Sequence, residues 1–211
     1  MELAEVINIL KERRPVLTPE AAAFSRLILL LLAQGQPVTP ERLAEVSGQP
    51  IEMIRAHFAA MHKGGCDFDD RGALVGNALT LTPTPHRFRV NGHELYAWCA
   101  LDTLFLPALI DQTAEIASTC PQTGESVQLT VSPDGIVEFS PAETALSIVI
   151  ASGCTSGIDG TFCGQIHFFA SSDAAETWRA DRADVTLLPL AEAYQLAQVI
   201  YAEPMLSALR H

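Results

Sequence analysis

The chain lacks any pair of cysteines two residues apart, and its six histidines form no HExxH pattern. Its apolar runs are no longer than the seven residues from Leu27 to Ala33, and positive charge is scarce. Each absence excludes a class. Without paired cysteines or zinc-type histidine spacing, zinc-finger and zinc-hydrolase chemistry have no foothold. A seven-residue apolar run is too short to cross a bilayer, and Met1-Glu2-Leu3-Ala4-Glu5 lacks the basic lead-in of a secretory signal, so a cytoplasmic protein without membrane attachment is expected. A formal net charge of −12 repels phosphate backbones, which sets the chain against nucleic-acid binding. Five cysteines (66, 99, 120, 154 and 163) form an odd set with no disulfide framework, and they are expected as free thiols in a reducing compartment.

The remaining composition is that of a globular protein, 48% hydrophobic and 18% charged over 211 residues, enough for one sizeable core or a small domain joined to a larger one. Leu3, Val6, Ile7 and Leu10 fall on one helical face. Thr18-Pro19-Glu20 and Thr39-Pro40-Glu41 are helix starts, with threonine as cap and proline at the first helical position. The helices they open end near Gly35 and at Gly48, and a third segment spans Ile51 to His62. Gly64 to Leu81 holds Gly65, Asp69, Asp70, Gly72 and Gly76 between short apolar stretches, as in a hairpin or wing. Residues 1–80 are therefore expected to form a winged-helix-like three-helix domain, with Pro83-Thr84-Pro85 as a linker. Residues 81–211 are expected to form a catalytic α+β domain, an antiparallel or mixed sheet covered by helices. Its strands are placed at Phe88–Val90, Glu115–Cys120, Val127–Val131, Ile136–Phe139, Leu146–Ala151 and Gln165–Ala170. Helices are placed over about 174–180 and 190–209.

The chemistry concentrates in Leu95-Tyr96-Ala97-Trp98-Cys99-Ala100-Leu101-Asp102-Thr103-Leu104. This stretch reads as the head of an apolar helix ended or bent by Pro107. Cys99 and Asp102, three apart, would then share a helical face, with the thiol biased toward thiolate by the free amides of a helix N-terminus. Asp102 interrupts an apolar run, where a carboxylate is costly to bury without a partner. Cys163 lies far downstream in Phe162-Cys163-Gly164-Gln165-Ile166-His167-Phe168-Phe169, where His167 would alternate with it along a strand, although a core histidine is the plainer reading. Two soft donors and one acid suit a thiol-seeking centre better than hydrolysis. Cys120, before a Pro-Gln-Thr-Gly turn, reads as structural, and Cys66 and Cys154 as incidental loop thiols.

These residues resemble the organomercurial (alkylmercury) lyase family of bacterial mercury-resistance systems. The likeness rests on the Tyr-Ala-Trp-Cys-Ala-Leu-Asp-Thr-Leu string, on Leu129 to Pro133, and on Phe162-Cys163 followed by His167-Phe168-Phe169. It is strongest over residues 90 to 200. The resemblance implies that Cys99, Cys163 and Asp102 carry protonolysis of a carbon–mercury bond and then hold the Hg(II) product, while Cys120 is structural. Gly164 departs from relatives that carry a further cysteine there. The resemblance further implies no organic cofactor, release of Hg(II) assisted by external thiols, and a mercuric reductase as acceptor. Trp98 is expected in the dry wall of the substrate pocket. Two other readings are a winged-helix metal-responsive regulator and a thiol metallochaperone. The acidic charge opposes the first, and Asp102 opposes the second, because a carrier needs no proton donor.

Overall fold

The computed structural model describes residues 1–14, 16–150 and 162–210. Four helices open the chain: α1 (Leu3–Glu12), α2 (Pro19–Leu32), α3 (Pro40–Ser47) and α4 (Ile51–Lys63). Both Thr-Pro-Glu starts are capped in the same way. The Thr18 hydroxyl accepts from the Ala21 amide and the Thr39 hydroxyl from the Arg42 amide, each at 3.2 Å. Gly48 ends α3 at φ 69°, the left-handed conformation that glycine adopts without a Cβ clash.

The strands β1 (Asp67–Phe68), β2 (Leu74–Asn77), β3 (Leu79–Thr80), β4 (His86–Val90), β5 (His93–Ala97), β6 (Ala114–Thr119), β7 (Ser126–Ser132) and β8 (Gly135–Ser140) build one antiparallel sheet, in the order β1-β2-β3-β5-β4-β6-β7-β8. Asn91 and Gly92 both have positive φ, the geometry of a two-residue hairpin turn whose twist matches its strands. Buried and exposed residues alternate along β4 and β6. The buried face meets α5 (Asp102–Ile110), and the other carries the Arg87–Glu94 and Arg89–Glu115 ion pairs. The sheet crosses residue 80, since Leu79 on β3 pairs with Ala97 on β5, and one hydrophobic cluster runs from Val6 to Ala202.

A second antiparallel sheet has β9 (Ala145–Val149) between β10 (Phe168–Phe169) and β11 (Val185–Pro189). The chain is thus a mix of helices and antiparallel sheet, as expected, with local differences. β11 falls in the gap between two expected helices. Pro107 does not end α5, which runs on to Ile110. Full burial of Leu106, Leu109 and Ile110, roughly 1.5–3 kcal/mol each, outweighs the ~3 kcal/mol of an interior proline. After α6 (Ser172–Arg179), the C-terminal helix comprises α7 (Leu190–Ala197), a π-turn at Gln198–Ala202 and α8 (Glu203–Ala208). Among the described residues no helix is long and apolar enough to cross a membrane.

α4 is the candidate recognition helix, and three of its side chains contact partners within the same chain. Arg55 pairs with Glu52 and Glu41, His57 lies edge-on to Phe24, and His62 edge-on to Phe68. With a net charge of −12, this face offers phosphates little attraction. The intact protein is expected to give no salt-sensitive, sequence-specific mobility shift with operator fragments. Such a shift would restore the regulator reading.

Candidate active site

Cys99 lies in the turn between β5 and α5, and Asp102 is the first residue of α5. Leu95 to Ala97 belong to β5, so the expected shared helical face is replaced by a capping turn. The Asp102 carboxylate reaches back three residues and accepts from the Cys99 amide at 3.0 Å, closing the turn that precedes α5. The Thr103 hydroxyl donates to the Ala100 carbonyl at 2.7 Å and tightens the same turn. The spacing of three thus works through the backbone rather than along a helix.

Cys163 opens a single 3₁₀ turn, Cys163–Gln165, and strand structure begins only at Phe168. Cys163 and His167 therefore do not alternate along a strand. The turn is joined to the Cys99 segment directly, because the Ala100 amide donates to the Ile166 carbonyl at 3.2 Å. Ser147, fully buried at the centre of β9, holds it from the other side. Its hydroxyl donates to the Gln165 carbonyl at 2.7 Å and accepts from the His167 amide at 2.9 Å.

These tethers bring the ligand atoms of Cys99, Asp102 and Cys163 within 4.8 Å of one another, and the residues are only 1%, 7% and 6% exposed. Burial pushes the Asp102 carboxyl up to about 7, against the opposing bonds from the Cys99 thiol and amide. The Cys99 thiol is held well above its ordinary value, chiefly by burial, then by its bond to Cys163 and by the nearby Asp102 charge. This reverses the expected bias toward thiolate. In a site this dry the desolvation of an anion outweighs the helix-terminus field, and the Cys99 amide is already committed to Asp102.

Other residues surround this group. Phe105, one turn beyond Asp102, stacks on Tyr201 of the π-turn with ring centroids 4.6 Å apart, and the Arg14 guanidinium lies 4.2 Å from the centre of the Tyr201 ring. The Tyr201 phenol is raised by burial and further by Asp102, Cys99 and Cys163, which places it in their field. No sequence pattern marks Tyr201 or Ser147, because each reaches the site only through tertiary packing. Trp98 is anchored by its indole N–H to Asp67 on β1 at 2.8 Å. Cys66 points its thiol at the Asn77 amide oxygen, 3.8 Å away, and Cys154 lies outside the described residues. Cys120 is buried at the end of β6 in a closed turn, its amide donating to the Glu125 carbonyl and its carbonyl accepting from Gly124. Burial raises its thiol, but bonds with the Thr123 side chain and with the backbone at Ala170, Thr123 and Gln122 win, and the net direction is down.

Two thiols and a carboxyl in a dry pocket form a donor set for a soft, thiol-seeking metal centre with a proton donor beside it. The family model described as alkylmercury lyase matches residues 79–202, and that of the helix-turn-helix domain of alkylmercury lyase matches residues 13–78. The chain belongs to the alkylmercury lyase family. An alkylmercury lyase of Streptomyces lividans is 43% identical over 173 residues, covering 82% of this chain and 79% of that protein. One from Pseudomonas putida is 37% identical over 180 residues, covering 84% of each. In fold the chain is similar to the crystal structure of the mercury-bound form of MerB2, with a TM-score of 0.77 at 24% identity, covering 97% of this chain and 98% of that one.

Two predictions follow from the family member's site. Cys120→Ser changes the size and bond lengths of a buried hydrogen-bonding group, so the melting temperature should fall, by about 2–4 °C per kcal/mol lost, with turnover per folded molecule retained. An unchanged melting curve with lost turnover would place Cys120 in the chemistry instead. For Asp102, a folded-state value of about 7 against an ordinary value of 3.8 means that the folded chain holds the proton more tightly. The resulting stability is fully present below pH 3.8 and is lost as pH rises through 7, amounting to up to about 4 kcal/mol. Between pH 5 and pH 8 the melting temperature should fall more steeply for the native protein than for Asp102→Asn. Parallel curves would refute the buried-acid assignment.

Proposed function

We propose that this family member cleaves the carbon–mercury bond of alkyl- and arylmercury compounds, with Cys99 and Cys163 as the mercury ligands and Asp102 as the proton carrier. The observation that supports it is the meeting of two buried thiols and one buried acid within 4.8 Å of one another. Mercury(II) is soft and prefers two thiolates, which two distant chain segments supply here.

The reaction requires no change of oxidation state. An organomercurial R–Hg–X exchanges X for one cysteine sulfur, whose proton is displaced as the sulfur–mercury bond forms. The ionised Asp102 carboxylate accepts that proton, since its value lies near neutrality and the Cys99 thiol already bonds it. The second cysteine then binds and raises electron density on the metal. The carbon–mercury electron pair goes to carbon, which takes a proton from Asp102 and leaves as R–H. In total, two thiol protons are consumed, one appearing on carbon and one released with X, and Hg(II) stays on the two sulfurs beside Asp102. No organic cofactor enters these steps. External thiols release the product by exchange, and a mercuric reductase is the proposed acceptor. A reducing, cytoplasmic setting agrees with four free cysteines among the described residues. Trp98 is proposed as part of the pocket wall.

A carrier that binds without turnover would need the thiols but not the acid, so Asp102 decides between the readings. Cys99→Ser and Cys163→Ser each leave one soft ligand and a hard hydroxyl. Hydrocarbon release should fall to background in both, with two-thiol capture of Hg(II) lost. Asp102→Asn should still bind mercury through the cysteines while releasing methane or benzene roughly 100-fold or more slowly. Single turnovers in deuterated buffer should place one deuterium on the released hydrocarbon. Wild-type turnover in Asp102→Asn would assign proton delivery to a thiol directly.

A further inference from the structure

Three consecutive amides around Cys99 are taken by three different parts of the fold. The Trp98 amide donates to the Ala78 carbonyl at 2.8 Å, the Cys99 amide to the Asp102 carboxylate at 3.0 Å, and the Ala100 amide to the Ile166 carbonyl at 3.2 Å. The second partner is the acid and the third belongs to the Cys163 turn. The first, Ala78, joins β2 to β3 in the N-terminal part of the chain. It has φ 61°, a conformation that residues with a Cβ seldom adopt. Such a conformation persists only where the surrounding contacts over-determine it.

Those contacts converge on Trp98. Its indole N–H donates to Asp67 Oδ2 at 2.8 Å, a charge-assisted bond to a carboxylate. The hydroxyl of Thr80, a fully buried residue, shares its proton between the same oxygen at 3.3 Å and the Val75 carbonyl at 3.2 Å. Gly76, the β2 partner of Asp67, leaves room for this cluster. A Cβ at that position would collide with Asp67 Oδ2 and stand 2.6 Å from the Thr80 hydroxyl oxygen. The β1–β2 register shifts between Asp67 and Phe68, and irregularities of this kind re-aim side chains. β3 and β5 are joined by two residue pairs, Leu79–Ala97 and Thr80–Tyr96, so their ladder stops one residue short of Trp98. Beyond it, the Trp98 amide and indole hold the chain to the hairpin.

We propose that Asp67 is a positioning residue for Cys99: its carboxylate holds the Trp98 indole and so fixes the turn that presents the thiol to Asp102 and Cys163. The inference rests on the function proposed above. The link between the two residues is covalent geometry. The Trp98 carbonyl and the Cys99 N–H belong to one planar peptide, so a shift of the Trp98 backbone turns the Cys99 amide away from Asp102. The N-terminal part of the chain thereby gains a role in the site, its hairpin bracketing the reactive turn. Misplacing a reacting group by about 1 Å costs up to roughly 100-fold in rate.

Three substitutions separate the bond from the fold. Asp67→Ala removes the acceptor, Asp67→Asn keeps an oxygen that accepts from the indole, and Trp98→Phe keeps an aromatic ring without the donor. Asp67→Ala should lower kcat for phenylmercury, per folded molecule, roughly 10–100-fold. Asp67→Asn should stay within a few-fold of the native protein. In a Trp98→Phe background, Asp67→Ala should add no further loss. The ¹⁵N–¹H resonance of the Cys99 amide should move in Asp67→Ala and hold its place in Asp67→Asn. Native kcat or an unmoved Cys99 amide in Asp67→Ala would overturn the inference. So would an equal loss in the Ala and Asn variants, which would assign Asp67 to folding alone. A full further loss in the Trp98→Phe background would overturn it too, by showing that Asp67 does not act through Trp98. If Asp67→Ala does not fold, Trp98→Phe takes its place, since the indole bond is lost there with Asp67 intact, and native kcat in that variant overturns the inference. If the native protein itself released no hydrocarbon, the proposed function would fail, whereas native turnover with an indifferent Asp67→Ala would sink only this inference.

Discussion

A carboxyl group buried beside two thiols is the constraint on which the rest of this structure depends. An ionised carboxylate withdrawn from water costs several kcal/mol unless its lone pairs are met. Here the Cys99 amide and thiol meet them, and the cost that remains appears as the rise of Asp102 to about 7. The same contact closes the turn that leads into α5. Site and scaffold thus share one hydrogen bond. That sharing explains why α5 is buried almost all round: the helix that carries the acid must exclude water on every side for the acid to stay poised.

The second thiol arrives from more than sixty residues away, and closing so long a loop is entropically modest but must be offset by specific contacts. Those contacts are mainly backbone ones. Ala100 to Ile166 links the two cysteine turns, and Ser147 fastens the Cys163 turn to a strand buried on both faces. From the far end of the chain, Gln198 donates to the Leu104 carbonyl at 2.9 Å, and Tyr201 stacks on Phe105. The π-turn at Gln198–Ala202 brings both residues to α5, and a local departure from α-helical register is common where a side chain serves a site. α1 completes the enclosure, with Arg14 donating to the Ile200 carbonyl and lying over Tyr201.

What could be read from the sequence was what local rules determine. Both Thr-Pro-Glu helix starts and Gly48 as a helix end depend on short-range geometry, and each stands where it was read. The three reactive residues were legible as residue types, and the family likeness picked them out of the surrounding thiols. Their arrangement was not legible. Leu95 to Ala97 are equally apolar on a helix or in a buried strand, and only pairing with β3 and β4 settles the matter. β11 was hidden because five residues, Val185 to Pro189, between two helical patterns are too few to show a period of their own. The contacts of Ser147 with Gln165 and His167, and of Tyr201 with Phe105, join segments far apart in the chain, which no spacing encodes.

The protonation of Cys99 bears on selectivity as well as on mechanism. A thiol pre-ionised by a helix terminus reacts with oxidants and with any soft electrophile that reaches it. In the proposed reaction Cys99, buried and held protonated, becomes a nucleophile only when an incoming group can displace its proton and a base stands ready to accept it. A soft metal cation does the first and Asp102 the second. An ordinary carbon electrophile requires the thiolate, which burial of Cys99 disfavours, so the thiol reacts with it slowly. Burial therefore does two things with one arrangement: it raises the acid into the range where it can both take and give a proton at neutral pH, and it silences the thiol until a thiol-seeking metal arrives.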